Sequence, residues 1–196
     1  TPIVSIAGLA KVLKRGNLCQ EEQDQYLSAI EEESMRLSYM ATNVLSLTKV
    51  ENQTILSDVT EYNLSEQIRS CILLLENKWS RRDLELQLEF GEHMISANEE
   101  LLKQVWINLL DNAVKFTPDG HTIQVRISET DHSITVDVLN TGSEIPKESQ
   151  AKIFNKFYQA DESHATQGNG VGLAIVKRIA HILRSEERRV GKECRS

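Results

Sequence analysis

Asn108, Asn112 and Lys115 stand at i, i+4 and i+7 of a stretch in which Leu109, Leu110 and Val114 are apolar. On a helix this spacing puts two carboxamides and an ammonium on one face while the apolar side chains turn elsewhere. A carboxamide oxygen is a hard ligand of the kind Mg2+ accepts while keeping waters and phosphate oxygens in its shell. The lysine meets phosphate as a point charge. Farther along, Gly168, Gly170 and Gly172 alternate with Asn169 and Val171, just ahead of Leu173. Without β-carbons the backbone there can take positive φ and aim its N–H groups at an anion, and a helix opening at Gly172 adds the partial positive charge of its N-terminus. Together the two segments suit a magnesium-bound nucleotide. The glycine run is not a dinucleotide fingerprint, since polar residues 161–167 precede it instead of a hydrophobic strand, and it is not a P-loop, since no Lys-Ser or Lys-Thr follows. Taken alone, the Asn108, Asn112 and Lys115 face reads equally as a solvated polar surface.

The elements that would position these groups follow from apolar period and caps. Ile3, Ile6, Leu9, Ala10 and Leu13 recur at three and four, a helix with one apolar stripe that Arg15-Gly16-Asn17 ends. Leu27, Ile30, Ser34, Leu37, Ala41, Val44 and Thr48 carry a longer helix over residues 21–51. Such a hairpin leaves one side of each stripe wet, so it predicts a homodimer whose two copies complete a four-helix bundle. Packing on the remainder of the same chain is the alternative. A polar break near residues 51–58 closes a first domain, 1–55.

The second domain, 56–183, opens on a capping box, Asn63-Leu64-Ser65-Glu66, and a helix to residue 81. Leu84, Leu86, Leu88 and Phe90 alternate with polar residues as a half-buried strand. Asn98 caps a helix over 99–116, which Thr117-Pro118-Asp119-Gly120 stops with turn chemistry. Two strands, carrying Ile123, Val125, Ile127 and then Ile134, Val136, Val138, should pair antiparallel. Helices over 147–156 and 172–183 complete an α+β two-layer sandwich. Residues 184–196 lack an apolar period and read as a disordered or non-native tail, standing where native chain would continue into further strands.

Composition narrows the partners. A formal charge of −7 argues against general binding to nucleic acid or anionic lipid, which needs clustered Lys and Arg, so any phosphate must be held locally. Cys19, Cys71 and Cys194 show no CxxC spacing, so neither a disulfide framework nor a zinc site is indicated, and a reducing cytosol is expected. No run approaches the roughly 20 apolar residues of a membrane span. The opening Thr1-Pro2-Ile3-Val4 reads as the middle of a longer protein.

The order of motifs resembles the sensor histidine kinases of two-component systems, whose ATP-binding domain shares the Bergerat fold with DNA gyrase and MutL-type ATPases. Residues 108–118 are similar to the family's N box, Asn140-Thr141-Gly142-Ser143-Glu144-Ile145-Pro146 to its G1 box, Ile153-Phe154-Asn155-Lys156-Phe157-Tyr158 to its F box, and residues 168–173 to its G2 box. Thr1-Pro2 resembles the end of the H box at the start of a dimerisation and phosphoacceptor hairpin. The resemblance implies that Asn112 ligands Mg2+, that Asn108 and Lys115 lie near the phosphates of ATP, and that Phe116 rests against the nucleotide. It further implies that Gly142 and Ile145 shape the adenine pocket and that Gly168, Gly170, Gly172 and Leu173 belong to the phosphate loop. Residues 159–167 would form a lid anchored by Phe154 and Phe157.

By the same resemblance the parent protein autophosphorylates a His, passes the phosphoryl group to an Asp of a response-regulator receiver domain, and is a cytoplasmic module anchored to the membrane only through a segment upstream. The acceptor His would stand four residues before Thr1, and none of His93, His121, His132, His164 or His181 lies in that motif. Two positions depart from the family. Asn140 replaces an Asp that accepts from the adenine amino group, which turns a charge-assisted hydrogen bond into a neutral one. Glu144 replaces a glycine and should face solvent. These departures leave a non-catalytic, nucleotide-binding dimeric adaptor as the alternative. A gyrase-like ATPase is disfavoured because Asn108 stands where those relatives carry a Glu base.

Overall fold

The computed structural model describes residues 2–16, 18–52, 58–159 and 170–193. They fall into two compact units, Thr1–Thr48 and Lys49–Ser196. In the first, α1 (Pro2–Lys14) and α2 (Gln20–Asn52) form the expected hairpin. Gly16 at φ 73° lets the chain leave α1, and Glu22 reaches back to the Cys19 N–H (2.9 Å), satisfying a donor that the first turn of α2 cannot. No residue of α1 is buried, and Ile3, Val4, Leu27, Met35, Val44 and Leu45 are all exposed. Ile6, Leu9, Leu13, Ile30 and Leu37 of the stripes are half-buried, while Ile3, Leu27 and Val44 stay in solvent.

The second unit runs β1 (Val59–Asn63), α3 (Leu64–Leu74), α4 (Glu76–Trp79), a 3-10 turn (Ser80–Arg82), β2 (Glu85–Glu89), β3 (Met94–Asn98), α5 (Glu99–Phe116), β4 (Thr122–Thr130), β5 (Ser133–Asn140), α6 (Lys147–Gln150) and α7 (Gly172–Glu193). β2, β4 and β5 form one sheet in that order, with β4 parallel to β2 and antiparallel to β5. β1 and β3 pair antiparallel as a separate ribbon. Leu64, Ile68, Cys71, Ile72 and Leu75 gather with Leu110 of α5 against Val125 and Ile127 of β4. A second cluster joins Leu84, Ala113, Val114 and Ile123. α7 packs on α5 and buries Ile175, Ile179 and Ile182, three side chains at helical spacing worth about 1.5–3 kcal/mol each in apolar transfer.

Four expectations need correcting. The helix foreseen to residue 81 breaks at Leu75, whose backbone leaves helical geometry (φ −98°, ψ 3°). That break turns Trp79 back so that its Nε1 donates to the Ile72 carbonyl (3.2 Å). Of the capping box, Asn63 does accept from the Glu66 N–H (3.1 Å), but the Glu66 carboxylate pairs with Arg69 instead of reaching back. α6 stops at Gln150, well short of 156, and the chain continues through turns and a bend to Phe157, which takes positive φ (62°). α7 continues to Glu193, past the end expected at residue 183.

One side chain fixes the end of α5 that carries Lys115 and Phe116. The Arg82 guanidinium donates to the carbonyls of Val114 (2.6 Å) and Thr117 (2.8 Å) and pairs through Nε with Asp119 (2.8 Å). It answers carbonyls that the helix leaves without intrahelical partners. Arg82→Ala should lower unfolding stability in urea by about 1–3 kcal/mol, and Arg82→Lys should recover only part, since an ammonium cannot reproduce the planar fork.

Candidate functional site

α5 is held at both ends. Asn98, the last residue of β3, accepts from the Leu101 N–H (2.9 Å), and Thr117 closes the other end by donating Oγ1 to the Ala113 carbonyl. Between them Asn108 donates Nδ2 to the Gln104 carbonyl (2.8 Å), which fixes its carboxamide. Its Oδ1 then lies over Gly172, where a β-carbon would come within 2.7 Å of it. The polar face of α5 and the first residue of α7 are therefore in direct contact, a closeness that the missing side chain of Gly172 permits.

Asn112 makes no side-chain hydrogen bond among the described residues, so its carboxamide oxygen is uncommitted. Lys115 places Nζ 4.8 Å from the Phe116 ring centroid, within cation–π range. Partial burial holds the Lys115 ammonium below the usual lysine range, Asp111 opposes that fall and Lys78 adds to it. An arriving anion would reverse the shift.

Gly170 stands at φ 65°, and a β-carbon there would meet the backbone of Tyr158 at 2.5 Å. The Phe157 N–H donates to the Gly170 carbonyl (2.9 Å), and Tyr158 Oη donates to Ser149 Oγ of α6 (3.1 Å). The F-box segment is thereby tied to α6 on one side and to the residue leading into α7 on the other. Gly168, and the lid from residue 160 onward, lie outside the described residues. The N–H groups of Gly172 and Leu173 belong to the first turn of α7, where no intrahelical acceptor exists.

After β5, Asn140 donates Nδ2 to Ser143 Oγ (2.9 Å), leaving its carbonyl oxygen to face another group. Gly142, at φ 81°, packs so closely on the His121 ring that a β-carbon would come within 2.4 Å. This joins the G1 turn to the loop that follows α5. Ile145 (51%), Phe116 (47%) and Phe157 (60%) remain exposed, and Glu144 faces solvent as expected. Arg82, His121, Ser149 and Tyr158 were not singled out by spacing for these supporting roles, because each meets its partner through the fold.

Among the described residues no three His, Cys, Asp or Glu side chains gather to hold a metal ion. The donor set around Asn112 fits Mg2+ that draws most of its ligands from phosphates and water. A concavity of about 650 Å³ is lined by α2 residues including Glu21, Asp24 and Glu32. Its acidic lining is the wrong sign for a polyphosphate, so the site is assigned by the meeting of the motifs and not by volume.

Gly170→Ala should cost about 2 kcal/mol or more of unfolding stability, since positive φ and backbone neighbours leave nothing to yield, and Gly172→Ala should cost less because the Asn108 side chain can move. Denaturant titration ranks the two. For Lys115, the folded value lies below the unfolded one, so its cost is present at neutral pH and lifts as pH rises from the folded value towards about 10.4. Lys115→Met should accordingly be at least as stable as the parent at pH 7 and should lose the parent's alkaline gain; lower stability at pH 7 would contradict this.

Comparisons with known proteins agree with this arrangement. Residues 97–194 match the histidine kinase-, DNA gyrase B- and HSP90-like ATPases, and residues 1–53 match the His Kinase A (phospho-acceptor) domain. Among curated proteins, the sensor histidine kinase CusS of Escherichia coli K12 is 30% identical over 91% of this chain. The circadian input-output histidine kinase CikA of Synechococcus elongatus is 31% identical over 93%. The chain spans only 38% and 25% of those proteins, respectively. Among solved structures, the histidine kinase ThkA in complex with response regulator protein TrrA superposes with a TM-score of 0.71 at 28% identity, over 81% of this chain and 47% of that one. Full-length ShkA in complex with AMPPNP gives 0.66 at 25% identity, over 92% and 38%. With both units matched in this order, the chain belongs to the sensor histidine kinase family.

Proposed function

We propose that this chain is the kinase core of a sensor histidine kinase: it binds Mg-ATP between α5 and the start of α7, phosphorylates a His on the dimerisation hairpin, and hands the phosphoryl group to a response-regulator Asp. The observation that carries the reading is the contact of Asn108 with Gly172, which brings the amide-bearing face and the glycine loop to one place. Asn112 offers its uncommitted oxygen to Mg2+, Lys115 offers positive charge to phosphate oxygens, and the first N–H groups of α7 receive the remaining anionic oxygens. Phe116 and Ile145 supply apolar surface to the base, with the Asn140 carbonyl accepting from the adenine amino group.

Mg2+, when bound, supplies neutralisation of the charge that develops on the transferring group. The chain's own part is positioning. A neutral imidazole nitrogen upstream of Thr1 forms the new N–P bond as the bond from the γ-phosphorus to its bridging oxygen breaks, and ADP leaves with the electron pair. The exposed apolar residues Ile3, Val4, Leu27, Met35, Val44 and Leu45 of α1 and α2 support a homodimer in which two hairpins bury one another. The ThkA complex with its response regulator supports a receiver-domain partner for this chain. Among the described residues no helix is long and apolar enough to cross a membrane; we assign the chain to the cytoplasmic part of a protein anchored through a segment upstream.

Asn140 favours one second reading, a nucleotide-binding adaptor that does not transfer phosphate, because a neutral acceptor holds adenine more weakly than a carboxylate. Calorimetric titration with MgATP, combined with autophosphorylation of a chain extended upstream to include a His, separates the two: binding with transfer supports the kinase, binding alone the adaptor. Asn112→Ala should weaken MgATP binding by about tenfold or more. Asn140→Asp should tighten it by about three- to tenfold, the Ser143 hydroxyl turning from acceptor to donor to suit the carboxylate.

A further inference from the structure

We propose that Lys78, which lies outside every motif of the family, sets the affinity of the nucleotide site by neutralising Asp111 on the border of the phosphate-facing side of α5. The inference rests on the nucleotide reading given above. Lys78 Nζ of α4 sits 2.5 Å from Asp111 Oδ1, with the two side chains 44% and 40% exposed. Asp111 directly precedes Asn112 and stands four residues before Lys115, so its carboxylate borders the face formed by Asn108, Asn112 and Lys115.

A carboxylate there opposes a polyphosphate in two ways. It repels phosphate oxygens, and it offers Lys115 an internal partner in competition with the ligand. Lys78 and Asp111 both act on the Lys115 ammonium, in opposite directions, which puts the three charges within electrostatic reach of one another. With all three present the cluster carries one net positive charge. Without Lys78 it carries none, without the Asp111 charge it carries two, and without both it returns to one.

This count separates the proposal from a merely structural ion pair, in which losing either partner harms alike. Exposed pairs contribute little to folding in any case. Calorimetric titration with MgATP of the whole chain and of K78M, D111N and the double variant, at low ionic strength, provides the test. K78M should weaken binding by about three- to tenfold, D111N should tighten it by a similar factor, and the double variant should return to within about twofold of the unsubstituted chain. Both single-variant differences should shrink as salt is added. D111N weakening binding in step with K78M, or an unchanged affinity in K78M, would overturn the proposal. Melting curves without nucleotide identify a variant that has lost its fold, and if K78M is one, the sign of the D111N effect decides. No MgATP binding by the unsubstituted chain would remove the functional reading itself, whereas binding there with flat responses in the variants removes only the role of Lys78.

Discussion

The approach of α7 to α5 at Gly172 is the contact on which the site depends. Asn108 is held by its bond to the Gln104 carbonyl, and a side chain at residue 172 would have to displace the carboxamide oxygen from the space it fills. Below that point Ile175, Ile179 and Ile182 are buried, which commits α7 to its position by apolar burial. A polar contact placed at the head of a hydrophobically held helix is thereby positioned without being asked to provide the stability. The first turn of α7 then stands beside Asn108, the first residue of the polar face of α5.

The remaining polar bonds serve the same end. β1 and β3 each finish on an asparagine, Asn63 and Asn98, that caps the helix following it, so the ribbon fixes where α3 and α5 begin. Arg82 fixes where α5 ends. Gly170 and Phe157 share both positive φ and a hydrogen bond, an arrangement that costs backbone strain at Phe157 and secures the entry to α7. In a chain of net charge −7, Lys115 and the first-turn N–H groups of α7 supply positive charge within the second unit.

The helical hairpin, α5, β4 and β5 were legible because each repeats an apolar pattern over several turns or alternations. β1 and β3 were not. Val59-Thr60-Glu61-Tyr62-Asn63 and Met94-Ile95-Ser96-Ala97-Asn98 are short and weakly alternating, and what makes them strands is their pairing with each other across the intervening residues 64–93. The break at Leu75 and the early end of α6 were also hidden, since no Gly or Pro marks either place in the sequence. In the site, the motif residues were found by type and spacing, whereas Lys78, Arg82 and His121 act on α5 and its following loop from elements that spacing cannot connect. Sequence pattern reports which groups face one way on one element; it does not report which element arrives opposite.

The most direct test is a map of backbone amide shifts during titration with the magnesium complex of a non-hydrolysable ATP analogue. The account predicts that the largest movements fall together on Asn108, Asn112 and Lys115 of α5, on Gly170, Gly172 and Leu173, and on the turn at Gly142, saturating at one ligand per chain. Movements confined to α2, or to one of α5 and α7 without the other, would contradict it.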